Sequence, residues 1–107
     1  MPQKTKRYKS KKYVEAVSNL RCCISEYAES GDCRGPIQAH HLLKPYDGVR
    51  GMGMRSSDNN VIPLCYGHHA MLHDRLGSER ALFERYGLDP DFGKAYAKAL
   101  FEKYRSK

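Results

Sequence analysis

The spacing of apolar positions changes several times along the chain and predicts helices around two short strands. Across residues 11–20, Tyr13, Val17 and Leu20 fall at helical spacing with Ala16 on the same side, which predicts a short amphipathic helix. Residues 21–35 lose that period and place small and polar side chains around Gly31, Asp32 and Gly35. They read as a loop, and it carries Cys22, Cys23 and Cys33. Just past Pro36 the period becomes two, with Ile37, Ala39, His41 and Leu43 alternating with Gln38, His40 and Leu42, as in a strand. Residues 44–60 form a long connection holding Pro45, Gly48, Gly51 and Gly53 and closing on Asp58, Asn59 and Asn60. Connections of that length without structure of their own are usually functional or mobile. The apolar run 61–64 contains Pro63, which limits it to an edge or very short strand.

From Tyr66 the pattern is helical again, with Ala70, Met71, Leu72 and Leu76. Ser78 is placed as the N-cap of a further helix that runs to Tyr86 and stops at Gly87. After Asp89 and Pro90, the residues Phe92, Tyr96, Leu100 and Tyr104 recur every fourth position and give a final helix whose stripe is packing surface. The elements fit one small α+β domain with helices flanking a strand-strand-helix centre.

Composition sharpens this in one respect, the placement of charge. The formal net charge is +7, yet residues 1–12 carry six Lys or Arg and no acid, and residues 94–107 carry five against Glu102 alone. Residues 13–93 have eight basic and eleven acidic side chains and are net negative. The basic ends suit contact with a polyanion such as nucleic acid, while the first twelve residues fit equally a flexible, solvated tail. No apolar run has the length of a membrane span, and the opening residues lack the pattern of a signal peptide, so a cytoplasmic, reducing setting is expected.

In a reducing setting, four cysteines near histidine point to metal sooner than to disulfides. Cys65 and His68 are two residues apart across a predicted loop-to-helix junction and can share one tetrahedral ion. Cys33 offers a third ligand and either Cys22 or Cys23 a fourth, which would complete a structural zinc set. The alternative is ordinary buried thiols.

All five histidines lie in two clusters, His40 and His41, then His68, His69 and His73. His69 and His73, four apart on a helix, share a face and can hold one cation, while His68 lies about 100° round and is free for the zinc. Consecutive strand residues face opposite sides, so His40 and His41 should have different tasks. One of the two could complete a three-histidine cation site, and the other, with an imidazole titrating near ~6.5, could take a proton from water.

The run AHHLLKPYDGVRGMGMRSSDNNVIPLCYGHHAMLH resembles the HNH, or ββα-metal, endonucleases, especially the small phage and prophage members, and CCISEYAESGDCRGP resembles their zinc-binding lead-in. The resemblance covers roughly residues 21–86 and implies a zinc-stapled ββα-metal core at 36–76, a zinc lead-in at 21–35 and C-terminal helices at 78–105, all in one nuclease domain, 13–107, behind a basic tail, 1–12. The resemblance implies His41 as the general base and Asn60 as the amide that fixes the loop and orients that base. It implies His40, His69 and His73 as ligands of a catalytic divalent cation, such as magnesium, manganese or nickel. Cys22, Cys33, Cys65 and His68 are implied as the zinc set, with Ser25 standing where many relatives have a second cysteine.

The expected function is metal-dependent hydrolysis of DNA phosphodiester bonds, with Lys44, Arg50, Arg55 and Arg75 as candidates to grip phosphates. Phage packaging or recombination proteins are the expected partners, and no membrane is expected. The competing expectation is a zinc-stapled nucleic-acid-binding module without catalysis.

Overall fold

A helix needs its first amide groups satisfied, and Ser10 does this for the first one: its hydroxyl accepts from the Tyr13 N–H at 3.1 Å. The computed structural model describes residues 9–27, 33–46 and 56–104. Helix α1 (Lys11–Ser18) turns Tyr13 and Val17 inward. Strand β1 (Ile37–His41) starts directly after Pro36 and pairs antiparallel with β2 (Val61–Cys65), His40 opposite Ile62 and Gln38 opposite Leu64. Pro63 stands opposite Ala39, and its carbonyl accepts instead from the Cys23 N–H at 2.9 Å, so the lead-in runs along β2. Pro63 is tolerated because the described sheet has two strands, each of them an edge.

Helix α2 (Tyr66–Met71) follows β2 with no connecting residue. The continuous helix expected through Leu76 is not what forms: Leu72–Leu76 is a π-helical turn, closed by Gly77 N–H donating to the Leu72 carbonyl at 2.6 Å. The i→i+5 bond widens the last turn around buried Leu72, and periodicity alone does not distinguish such a turn from an α-helix. Ser78 caps α3 (Glu79–Arg85) by accepting from Ala81 N–H at 3.1 Å, and α4 (Phe92–Tyr104) follows the Asp89–Pro90 turn.

The described chain is thus a small mixed α and β domain, a two-stranded sheet with helices about it. Every residue of β2 is buried. One core joins Ile24, Leu42, Ile62, Leu64, Leu72, Leu82, Phe83 and Ala97; a second sets Tyr13 and Val17 of α1 against Val61 and Leu100. None of the described helices is long and apolar enough to cross a membrane. Residues 1–8 of the expected basic tail, Gly31 and Asp32 of the lead-in, and Arg50 and Arg55 lie outside the described residues.

The lead-in closes over the start of α2 through Tyr66 N–H donating to the Pro36 carbonyl and Gly67 N–H to that of Arg34, both at 2.9 Å. Between these residues Gly35 has φ 76°, and a Cβ there would sit 2.7 Å from Tyr66 Cβ. Gly77 has nearly the same backbone, φ 77°, but open space around it. Either Gly→Ala change is expected to cost about 1–2 kcal/mol for the left-handed backbone. Gly35→Ala should lose roughly 1–3 kcal/mol more, because Tyr66 has to move. Urea unfolding of the two variants checks this, and equal losses would remove Tyr66 from the account.

Candidate metal centres and the neighbouring histidine

The strand-to-helix junction builds the first donor cluster. Cys65 ends β2 and acts as the N-cap of α2, its sulfur accepting from the His68 N–H at 3.4 Å. One turn later the His68 ring lies fully buried, with Nδ1 3.1 Å from Cys65 Sγ, 3.6 Å from Cys22 Sγ and 3.8 Å from Cys33 Sγ. Tetrahedral zinc, with bonds of about 2.3 Å to sulfur and about 2.0 Å to nitrogen, sets such donors roughly 3.5 Å apart. The donor atoms of Cys22, Cys33, Cys65 and His68 all lie within 4.8 Å of one another, close enough to bind a metal such as zinc.

Cys33 belongs to an exposed residue, but its sulfur turns toward the buried His68 ring. Burial pushes the Cys22 thiol up, and burial together with the Cys22 and Cys65 sulfurs pushes the Cys33 thiol up to about 12. The Cys22 and Cys33 thiols so placed resist becoming thiolates unless a cation sits beside them. Cys23, also buried, is not part of this group of four.

The second cluster forms on the other side of His68. His69 lies one residue on, about 100° round the helix axis, and faces β1. Its Nε2 is 3.2 Å from His40 Nδ1 and 3.1 Å from His73 Nε2, and the three donors lie within 4.8 Å of one another. The outer nitrogens decide what this means. His40 Nε2–H donates to the Glu79 carboxylate at 2.7 Å, and His69 Nδ1–H donates to the Gln38 side-chain oxygen at 2.5 Å.

A neutral imidazole has one N–H, so His40 Nδ1 and His69 Nε2 face each other as lone pairs. A cation between them relieves that contact. A proton on His69 is disfavoured: burial, then His40 and His73 beside it, lower its pKa to about 4. Histidines that point bare nitrogens at one spot while their far N–H groups bond a carboxylate and an amide have the arrangement of metal ligands.

His41 lies on the opposite face of β1, where α1 packs. Its Nε2–H donates to Asp58 Oδ1 at 2.9 Å, and Asp58 Oδ2 accepts from Ser10 N–H, also at 2.9 Å. The His41 and Asp58 side chains are partly exposed, at 11% and 16%. Asn60 is fully buried, and its side-chain oxygen accepts from Tyr46 N–H at 2.8 Å while its backbone carbonyl accepts from Leu42 N–H. It thereby pins both ends of the connection after β1. The carboxylate on the His41 ring comes from Asp58, while the Asn60 amide, expected to fix the loop and orient the base, has its oxygen on Tyr46 N–H.

Glu79, Gln38 and Tyr86, which accepts from His68 Nε2–H at 2.8 Å, were also not singled out from the sequence. Only Glu79 carried a signal, as an acid in the first turn after a serine cap. Of the residues proposed to grip phosphate, Lys44 is exposed beside a cavity of about 320 Å³ that Glu79, Arg80 and Lys94 also line, and Arg75 is exposed on the π-helical turn.

The family described as "Protein of unknown function (DUF968)" matches residues 1–99 of the chain. No curated protein and no solved structure matches it.

The sulfur geometry separates the two adjacent cysteines. Purified under reducing conditions, the protein should carry one zinc per chain, which Cys22→Ser removes and Cys23→Ser leaves in place. Metal analysis of the two variants measures this, and zinc lost with Cys23 but kept without Cys22 would reverse the assignment. Zinc removal by a chelator should lower the unfolding temperature, since the site joins the lead-in to α2 and its binding energy adds to folding.

Proposed function

The chain belongs to the DUF968 family, and we propose that it is a metal-dependent endonuclease of the HNH, or ββα-metal, type that hydrolyses DNA phosphodiester bonds. The observation that carries this reading is the triad of His40, His69 and His73, with two lone pairs fixed inward by Glu79 and Gln38. The chain order β1, β2, α2, with the three histidines drawn from β1, α2 and the turn after it, supports this reading. A ring set of this kind suits manganese, nickel, cobalt or zinc, and magnesium where oxygen ligands complete the shell. A divalent cation held there supplies Lewis-acid stabilisation of the phosphate and of the departing oxygen.

His41 ends β1, at the margin of the sheet. Held by Asp58 through Nε2, its ring would serve as the base that takes a proton from water. The water oxygen forms the new bond to phosphorus, the ester P–O bond breaks, and the departing alkoxide takes a proton from solvent. Asp58 holds the ring in one tautomer and favours the imidazolium that results, and the Ser10 amide holds Asp58. Asn60 contributes by fixing the connection between β1 and β2. The Cys22, Cys33, Cys65 and His68 set, taken as zinc ligands, keeps α2 aligned and takes no part in proton transfer. Lys44 and Arg75 contribute positive charge toward the DNA backbone.

Incubation with supercoiled plasmid tests the reading. The wild-type protein should nick or cut it with manganese or magnesium and stop on adding EDTA. His41→Ala should slow cleavage by about 10²–10⁴-fold while keeping its metals. Plasmid that stays supercoiled with every divalent metal would sink the nuclease reading, and retarded but intact DNA would favour a binding module.

A further inference from the structure

Helix α3 follows the strand-strand-helix unit in the chain, yet it sends one polar side chain to each donor cluster. Glu79, in its first turn, accepts from His40 Nε2–H at 2.7 Å. Tyr86, its C-cap residue, accepts from His68 Nε2–H at 2.8 Å. Seven residues make nearly two full turns, so the two groups leave the same side of the helix about 10 Å apart along its axis. That side meets one ring of the cation triad at one end and the one ring of the sulfur set at the other.

We infer that α3 is a positioning element for both metal centres, with Glu79 fixing which nitrogen of His40 faces the cation and Tyr86 fixing which nitrogen of His68 faces the sulfurs. The Glu79 half rests on the cation site of the proposed function. The Tyr86 half needs only the Cys and His set.

The chemistry is the same at both ends. A neutral imidazole carries a single N–H, and anchoring it on Nε2 leaves Nδ1 bare and pointed inward. At His40 the anchor is a carboxylate, which also draws the ring proton and makes Nδ1 a stronger donor toward a cation. At His68 the anchor is a neutral hydroxyl, suited to a site where three sulfurs already supply negative charge.

Glu79 is costly as a mere structural residue, since its carboxylate is buried at 8% exposure without a Lys or Arg in salt-bridge contact among the described residues. It is satisfied instead by His40 and by the Leu43 N–H at 2.6 Å, with the Lys44 N–H a weaker third donor at 3.4 Å. One carboxylate therefore fixes a ligand ring and the backbone just beyond β1.

Two near-isosteric variants of the full chain separate the ends of the helix. Glu79→Gln keeps an oxygen for an amide but removes the charge, and Tyr86→Phe removes only the hydroxyl. Each is purified zinc-loaded, titrated with manganese followed by electron paramagnetic resonance, and challenged with a chromophoric zinc chelator. Glu79→Gln should weaken manganese binding about 10–100-fold and leave zinc retention within about twofold of wild type. Tyr86→Phe should surrender zinc at roughly tenfold lower chelator and leave manganese within about twofold. Nitrogen-15 shifts should report His40 as the Nε2–H tautomer in the wild type and a mixture in Glu79→Gln.

Variants that bind both metals like wild type would overturn the inference. So would variants that weaken both metals together, in step with a lower unfolding midpoint, because α3 would then merely support the fold. A zinc-loaded wild type that takes up no manganese would refute the cation reading and the Glu79 half with it, while zinc retention still decides the Tyr86 half.

Discussion

The direct passage from β2 into α2 at Cys65–Tyr66 is the constraint on which the rest depends. With no residue between strand and helix, the helix cannot rotate relative to the sheet without breaking the cap that Cys65 gives to His68. Two consecutive helical histidines are then sent in different directions by the ordinary 100° step: His68 to the sulfurs and His69 to β1. The two donor clusters therefore share one rigid joint. The lead-in strengthens it, because Arg34 and Pro36 accept the first helical N–H groups and Gly35 permits the close approach to Tyr66.

The sheet supplies the complementary half of the geometry. Antiparallel register puts Gln38 and His40 on the face that meets α2, where one fixes the His69 ring and the other joins it. The opposite face carries His41 and meets α1, whose first amide groups are tied to Asp58 through Ser10. Burial of the whole of β2 leaves little freedom for either face to shift.

Much of this was legible in the sequence where spacing carries geometry. Cys65 with His68, and His69 with His73, are fixed by helical periodicity, and the separate tasks of His40 and His41 follow from the pleat. The caps at Ser78 and Gly87 marked α3 for the same reason. The outer partners were not legible. Gln38, Asp58, Glu79 and Tyr86 are single polar residues brought to the histidines by tertiary packing, and no spacing rule connects Glu79 to His40 across 39 positions. The π-helical turn escaped too, because its apolar positions fit an α-helix equally well. Spacing alone left Cys22 and Cys23 open; the family resemblance favoured Cys22, and it is the Cys22 sulfur that lies with Cys33, Cys65 and His68.

The adjacent histidines of β1 have a consequence for redundancy. A one-residue slip of the strand would bring the other ring to the α2 face, and composition would barely register the exchange, since an imidazole would still face His69. What distinguishes the two positions is their company: a carboxylate from α3 behind one ring, and one from the turn before β2 behind the other. Chemical individuality here is conferred on identical side chains by their neighbours, so each histidine's identity is a property of the fold.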